Sequence, residues 1–303
     1  MPGTSPSRLL PLLAVATTLL LWASAFVAIR HLGPTYSPGS LSLGRLLVAS
    51  LALGVVVLAR GVRRPARGDW PALITIGVLW YGLYNVSLNA GELRVDAGTA
   101  ALLIQLSPVL VAVLAVLFLG ERASVWLGVG LLLALAGVVL IGFSTSPGGS
   151  RDPWGVALCL VAAAAYAVSI IVQKPLVARL PALQITWIAC TVGAITCLPF
   201  AGDLVHDATA APLSDAGWVV YLGLFPTAIA FTTYAFALTH MDASRLSVTT
   251  YLVPPLTVVM AWLLLDEVPP PVAYVGGLLC LVGVAVARRR PRPRARVEEG
   301  APA

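Results

Sequence analysis

The sequence predicts an all-α integral membrane protein with ten transmembrane helices, arranged as two inverted five-helix repeats around a central cavity. Three observations carry this expectation. Apolar runs of about 20 residues, the length that crosses a bilayer core, follow one another along nearly the whole chain. One long stretch of sequence occurs twice. Basic residues crowd into every second connection between the runs.

Breaks at proline, glycine and charged residues divide the 303 residues into spans at 9–29, 38–59, 71–90, 97–118, 124–143, 154–173, 182–200, 216–238, 245–265 and 271–287. The first needs a decision. Arg8, the apolar run from Leu9 and "ASA" at 23–25 have the outline of a cleavable signal, but the run continues through Phe26 to Ile29. That exceeds a signal core of roughly 7–15 residues, so a retained helix is expected. The softest connection is "STSPGGSRDP" at 144–153, near the middle.

Composition excludes the soluble classes. The chain is 59% hydrophobic and 11% charged, where a soluble domain has about 25% charged residues. The net charge of +6 sits in short loops and a tail with no globular domain to form a groove, so nucleic acid is not an expected partner. The lipid bilayer and a small-molecule substrate are. Four cysteines fall inside apolar runs without a metal-binding spacing, and read as small hydrophobes. His31, His206 and His240 lie in loops, and no nucleophile–base pair, metal cluster or phosphate loop occurs in the spans. No enzyme activity, cofactor or direct use of ATP is expected.

The duplication is gapless. Asp96–Glu121 aligns with Asp242–Glu267 at an offset of 146, with ten of 26 positions identical, Pro108/Pro254 among them. Trp22–Arg30 aligns with Tyr166–Lys174 at an offset of 144. The halves run 1–147 and 148–303. Five spans per half is odd, so the second half enters the membrane in the opposite sense. With both termini cytoplasmic, inside segments hold 15 of the 19 basic residues, and the loop 201–215 has none. Inverted repeats of this kind recur in secondary transporters, whose site lies between the repeats near the midplane.

"LLLWASAFVAIR" in the first span, "LGR" at 43–45 and "DAGTAALLIQLSPVLVAVLAVLFLGE" with its second-half copy together resemble EamA-type members of the drug/metabolite transporter superfamily. The resemblance covers both halves. It implies ten helices around a central cavity in the inner or plasma membrane, and carriage of small metabolites, often amino acids or their analogues, frequently as export.

Polar side chains inside a span usually face the bundle interior. Tyr81, Tyr84, Asn85, Leu88 and Asn89 recur at helical spacing in the third span. Gln105 lies halfway along the fourth beside Ser107 and Pro108, and a proline frees a backbone carbonyl. Tyr251 occupies the equivalent place in the ninth. Trp22 and Tyr166 are paired by the repeat, and Tyr234 lies in the eighth span. These nine are the candidate substrate-binding residues; interhelical hydrogen bonding and space filling are the competing readings. Arg45, the charged residue well inside a span, either snorkels to an interface or holds an anionic substrate group. Glu121 and Glu267 read as helix-terminal or gating groups. Gly128, Gly130, Gly276 and Gly277 read as close helix packing. A lipid or polyprenyl-phosphate translocase and a non-transporting membrane scaffold are the alternative functions.

Overall fold

The computed structural model describes residues 9–94, 103–121, 124–145, 153–265, 271–287 and 289. Among them there is no strand. The first half contains α1 (Leu9–Leu32), α2 (Pro38–Arg60), α3 (Arg67–Glu92), α4 (Ser107–Leu119) and α5 (Val125–Thr145). The second contains α6 (Pro153–Leu176), α7 (Ala182–Thr196), α8 (Leu213–His240), α9 (Ala243–Val248), α10 (Val253–Leu265) and α11 (Pro271–Ala287). α1 is unbroken through the "ASA" triplet. α7 bends by 56° into a second limb, Leu198–Ala210.

Among the described residues five helices, α1, α2, α3, α6 and α8, are each long and apolar enough to cross a membrane, and six spans result if the bent α7 pair counts as one. That is fewer than the ten expected spans. Prolines are one reason: Pro108 and Pro254 stand at the second positions of α4 and α10, so each of these helices is only 13 residues long. The approach to α4 is a 3-10 turn, Leu106 N donating to Leu103 O at 3.1 Å, and the approach to α10 is the 3-10 turn Thr249–Leu252.

The duplication recurs in the geometry. α4 and α10 stand at the offset of 146 residue for residue. So do two π-helical stretches, Gly77–Leu83 inside α3 and Gly223–Ile229 inside α8, which the sequence reading did not anticipate. Helix contacts pair in the same way: α1 lies on α8 and α10 as α6 lies on α3 and α4, and α2 meets the π stretch of α8 as α7 meets that of α3. α5 packs along α11 through Gly130 and Gly283. A Cβ on Gly130 would stand 2.6 Å from Gly283 O, and one on Gly283 would stand 2.7 Å from Gly130 O, so only glycine permits this approach. Of the expected packing glycines, Gly130 does this work, Gly276 is buried, and Gly277 sits in ordinary contact with Pro255. Gly128 does not pack: it faces outward with open space where a Cβ would go.

Loops gather at two ends. At one, Arg179 Nη2 meets Asp69 Oδ1 at 2.8 Å and Arg63 N donates to Gln184 Oε1 at 3.0 Å. At the other, Asp207 Oδ2 accepts from Ser37 N (2.9 Å) and Ser40 Oγ (2.6 Å), and Asp215 accepts from Thr35 Oγ1 at 2.9 Å. The first end joins loops expected to be cytoplasmic, and the second joins loops expected on the opposite side.

Candidate functional site: a cavity between the halves

A cavity with an empty volume of about 710 Å³, its open part included, lies mid-bundle between the two halves. Trp22, Ala25, Phe26 and Ile29 of α1, Arg45 of α2, and Trp80, Tyr84, Asn85 and Leu88 of α3 line it from the first half, with Ile104, Gln105 and Ser107. Tyr166, Phe231, Thr250 and Val253 complete it from the second. Ile29, Leu88 and Ile104 place its far reach toward the end that carries Ser37 and Asp207. No acidic side chain lines it among the described residues.

Two prolines shape this wall through carbonyls that their missing N–H leaves free. Pro108 frees Ile104 O, and Ser107 Oγ donates to it at 2.5 Å. Pro254 frees Thr250 O, and Gln105 Nε2 reaches it at 3.4 Å. In the π stretch of α8, which contains Pro226, Thr227 Oγ1 donates to Leu222 O at 2.8 Å and accepts from Arg45 Nε at 2.9 Å. A π-helical i−5 gap in α3 is filled the same way, Asn85 Nδ2 donating to Trp80 O at 3.3 Å and to Tyr81 O at 2.8 Å. Ser107, Gln105 and Asn85 are thereby held by backbone, and Arg45 by the Thr227 hydroxyl.

The apolar wall is an aromatic cluster. Trp22 stacks on Tyr234 (centroids 5.1 Å apart, planes at 29°) and meets Trp80 and Phe231 edge-on at 6.3 and 5.5 Å. Trp80 stands perpendicular to Tyr166 at 5.1 Å. Tyr166 and Tyr234 share a hydroxyl hydrogen bond of 2.8 Å.

Of the nine candidate substrate-binding residues, Trp22, Tyr84, Asn85, Gln105 and Tyr166 line the cavity, as does Arg45. Four do not. Tyr81 is 1% exposed and packs on Trp80 and Phe231. Asn89 ties α3 to α2 through Ser42 Oγ (3.1 Å) and Pro38 O (3.3 Å). Tyr234 backs Trp22 from behind the wall. Tyr251 donates to Gln105 O at 3.0 Å, so the two repeat-equivalent residues hold each other. Trp80, Phe231 and Thr250 belong to the wall and were not singled out from sequence. For Trp80 the signal was present, since it stands four residues before Tyr84.

Opposite the far reach, Glu121 links the two halves and Lys174 links two helices of the second. Glu121, just past α4, accepts from Ala243 N (2.7 Å), Ser244 N (3.2 Å) and Ser244 Oγ, and so caps the start of α9. Asp242, which precedes α9, makes no such cap itself. Lys174 Nζ donates to Leu238 O (2.6 Å) and Met241 O at the end of α8. Glu267, the counterpart of Glu121, lies outside the described residues.

Duplicated helices, two of them opened by proline at mid-bundle, wall the cavity from both halves. The family model of the EamA-like transporter family matches residues 9–143 and again 153–289. The chain belongs to that family. It is a multi-pass membrane protein. A probable terminal-alkyne amino-acid exporter of Streptantibioticus cattleyicolor is 39% identical over 93% of this chain and 95% of its own. The uncharacterized transporter YdfC of Bacillus subtilis is 31% identical over 87% of this chain and 86% of its own. A crystal structure 23% identical in sequence superposes with a TM-score of 0.77, over 93% of this chain and 97% of that one, and shows the same fold.

Proposed function

We propose that this EamA-family protein is a secondary transporter of small metabolites such as amino acids or related compounds, working as an exporter or facilitator by alternating access. The observation that carries the reading is the cavity walled by both halves, reaching toward one end of the bundle while Glu121 links the halves at the other. In this reading both termini and the Glu121 end face the cytoplasm of the inner or plasma membrane, and halves 1–147 and 148–303 rock about the cavity as inverted repeats. Ten spans follow if α4, α5, α7, α10 and α11 cross with their flanking turns. The amino-acid substrate class is suggested by the similar exporter.

The test is counterflow of labelled amino acids in proteoliposomes. Tyr84→Ala and Gln105→Ala should each lower flux about tenfold, the scale of one lost polar contact, with protein remaining in the membrane. Leu132→Ala, on an outer face 69% exposed, should be neutral. Flux of labelled lipid without any flux of water-soluble solutes would reject the reading in favour of a lipid translocase.

A further inference from the structure

We infer that Arg45 is the anchor for a substrate carboxylate, so that the cavity selects small carboxylates with a neutral apolar or aromatic tail. This rests on the transporter reading. Arg45 is 4% exposed, lies within α2 and lines the cavity. Its Nε donates to Thr227 Oγ1, whose own hydrogen is committed to Leu222 O. Among the described residues no carboxylate stands within ion-pair distance of the guanidinium, and its two Nη groups have no hydrogen-bond partner.

A cation held within a membrane bundle is costly, and such groups pair with one another, meet backbone carbonyls or mark a substrate path. Arg45 has one hydrogen-bond partner, a neutral one, with the Glu92 carboxylate acting on it only from beyond ion-pair distance, and a cavity in front of it. Snorkelling does not describe it, because Thr227 fixes the Nε at the cavity wall. The Nη edge of a guanidinium suits a carboxylate's two oxygens, and the charge-assisted bonds they form are the strong ones. The rest of the wall sets the tail. Trp22, Trp80, Tyr84 and Phe231 offer aromatic faces, which tolerate an α-ammonium by cation–π attraction. A cationic side chain meets no lining carboxylate, and a second acidic group meets no second lining cation.

The full chain in phosphatidylcholine nanodiscs, which carry no lipid carboxylate, is titrated by intrinsic tryptophan fluorescence, Trp22 and Trp80 reporting from the wall. L-Phenylalanine and 3-phenylpropionate should bind, and phenylalaninamide, which lacks only the carboxylate charge of phenylalanine, at least about tenfold more weakly. Arg45→Gln should abolish that discrimination and Arg45→Lys should keep part of it. The wild-type comparison decides by itself if either variant fails to fold. Equal binding of amide and acid, or binding of neither acid, overturns the proposal. Acid-selective binding with no counterflow of phenylalanine keeps the subsite and rejects the transporter reading instead.

Discussion

Glu121 exchanges water for three donors of the other half: two backbone N–H groups and one hydroxyl at the start of α9. Hydrogen bonds to an ionised group contribute about 1.5–3 kcal/mol, against about 1 for neutral ones. Glu121→Gln keeps the shape and removes the charge, so it should favour release of this link by roughly tenfold. Ser247 is 0% exposed and stands one turn behind the clasp. A cysteine at Ser247 should therefore react faster with a soluble maleimide in the Glu121→Gln background; an unchanged rate would remove Glu121 from the gate. The sequence showed Glu121 at a helix end but not its partner, because a cap across 122 residues depends on tertiary contact. Of the α3 stripe, Tyr84, Asn85 and Leu88 line the cavity, and Tyr81 leaves it for a local reason. The i→i+5 winding of Gly77–Leu83 inserts a residue into the turn, so the face shared with Tyr84 and Asn85 continues to Trp80 and Tyr81 rotates into the packing.

The π-helical stretches are where element and site meet. Each begins at a glycine pressed onto the helix that crosses it. A Cβ on Gly77 would stand 2.5 Å from Val192 Cβ and 3.0 Å from Ala189 O; one on Gly223 would stand 2.6 Å from Val48 Cβ and 2.8 Å from Arg45 O. Val192 and Ala189 are the counterparts of Val48 and Arg45 at the offset of 144 found for Trp22 and Tyr166, so one contact has been made twice. In the second half it also sets Thr227 against Arg45. Gly223→Ala should push α8 off α2 at a cost of about 1–3 kcal/mol, the usual penalty of overpacking. The thermal midpoint should fall, and flux should fall further than stability alone explains, because Thr227 leaves Arg45. Gly217→Ala on the same helix, with open space around its Cβ, is the control and should be neutral or slightly stabilising. Equal behaviour of the two variants would show that the close approach has no role. Duplication and proline breaks were legible in the sequence because they are written in residue identity. The π winding was not, since Gly77 and Gly223 differ from ordinary packing glycines only in what lies across from them.

At one pair of equivalent positions an apolar residue in one half stands opposite an amide in the other, and the difference bears on the proposed alternating access. Ile29 lines the far reach of the cavity from α1. Its counterpart on α6 is Gln173, two turns beyond Tyr166 on the same face and toward the Glu121 end. Gln173 is 0% exposed, and both atoms of its amide lack a hydrogen-bond partner. A buried amide left unsatisfied costs about 1–3 kcal/mol per group, so this state carries a penalty that hydration would relieve. If the halves exchange conformations, Gln173 enters a water-filled path at the moment Ile29 leaves one. Gln173→Leu should then raise the thermal midpoint of the present state and slow counterflow, because the relieved penalty no longer favours opening. Cysteines supply the direct measurement. Ile29→Cys should react with an impermeant reagent from the side of His206, and Gln173→Cys from the side of Arg64. Any condition that speeds one should slow the other. Both rising together, or Gln173→Cys labelling from the side of His206, would contradict a swap between inverted halves.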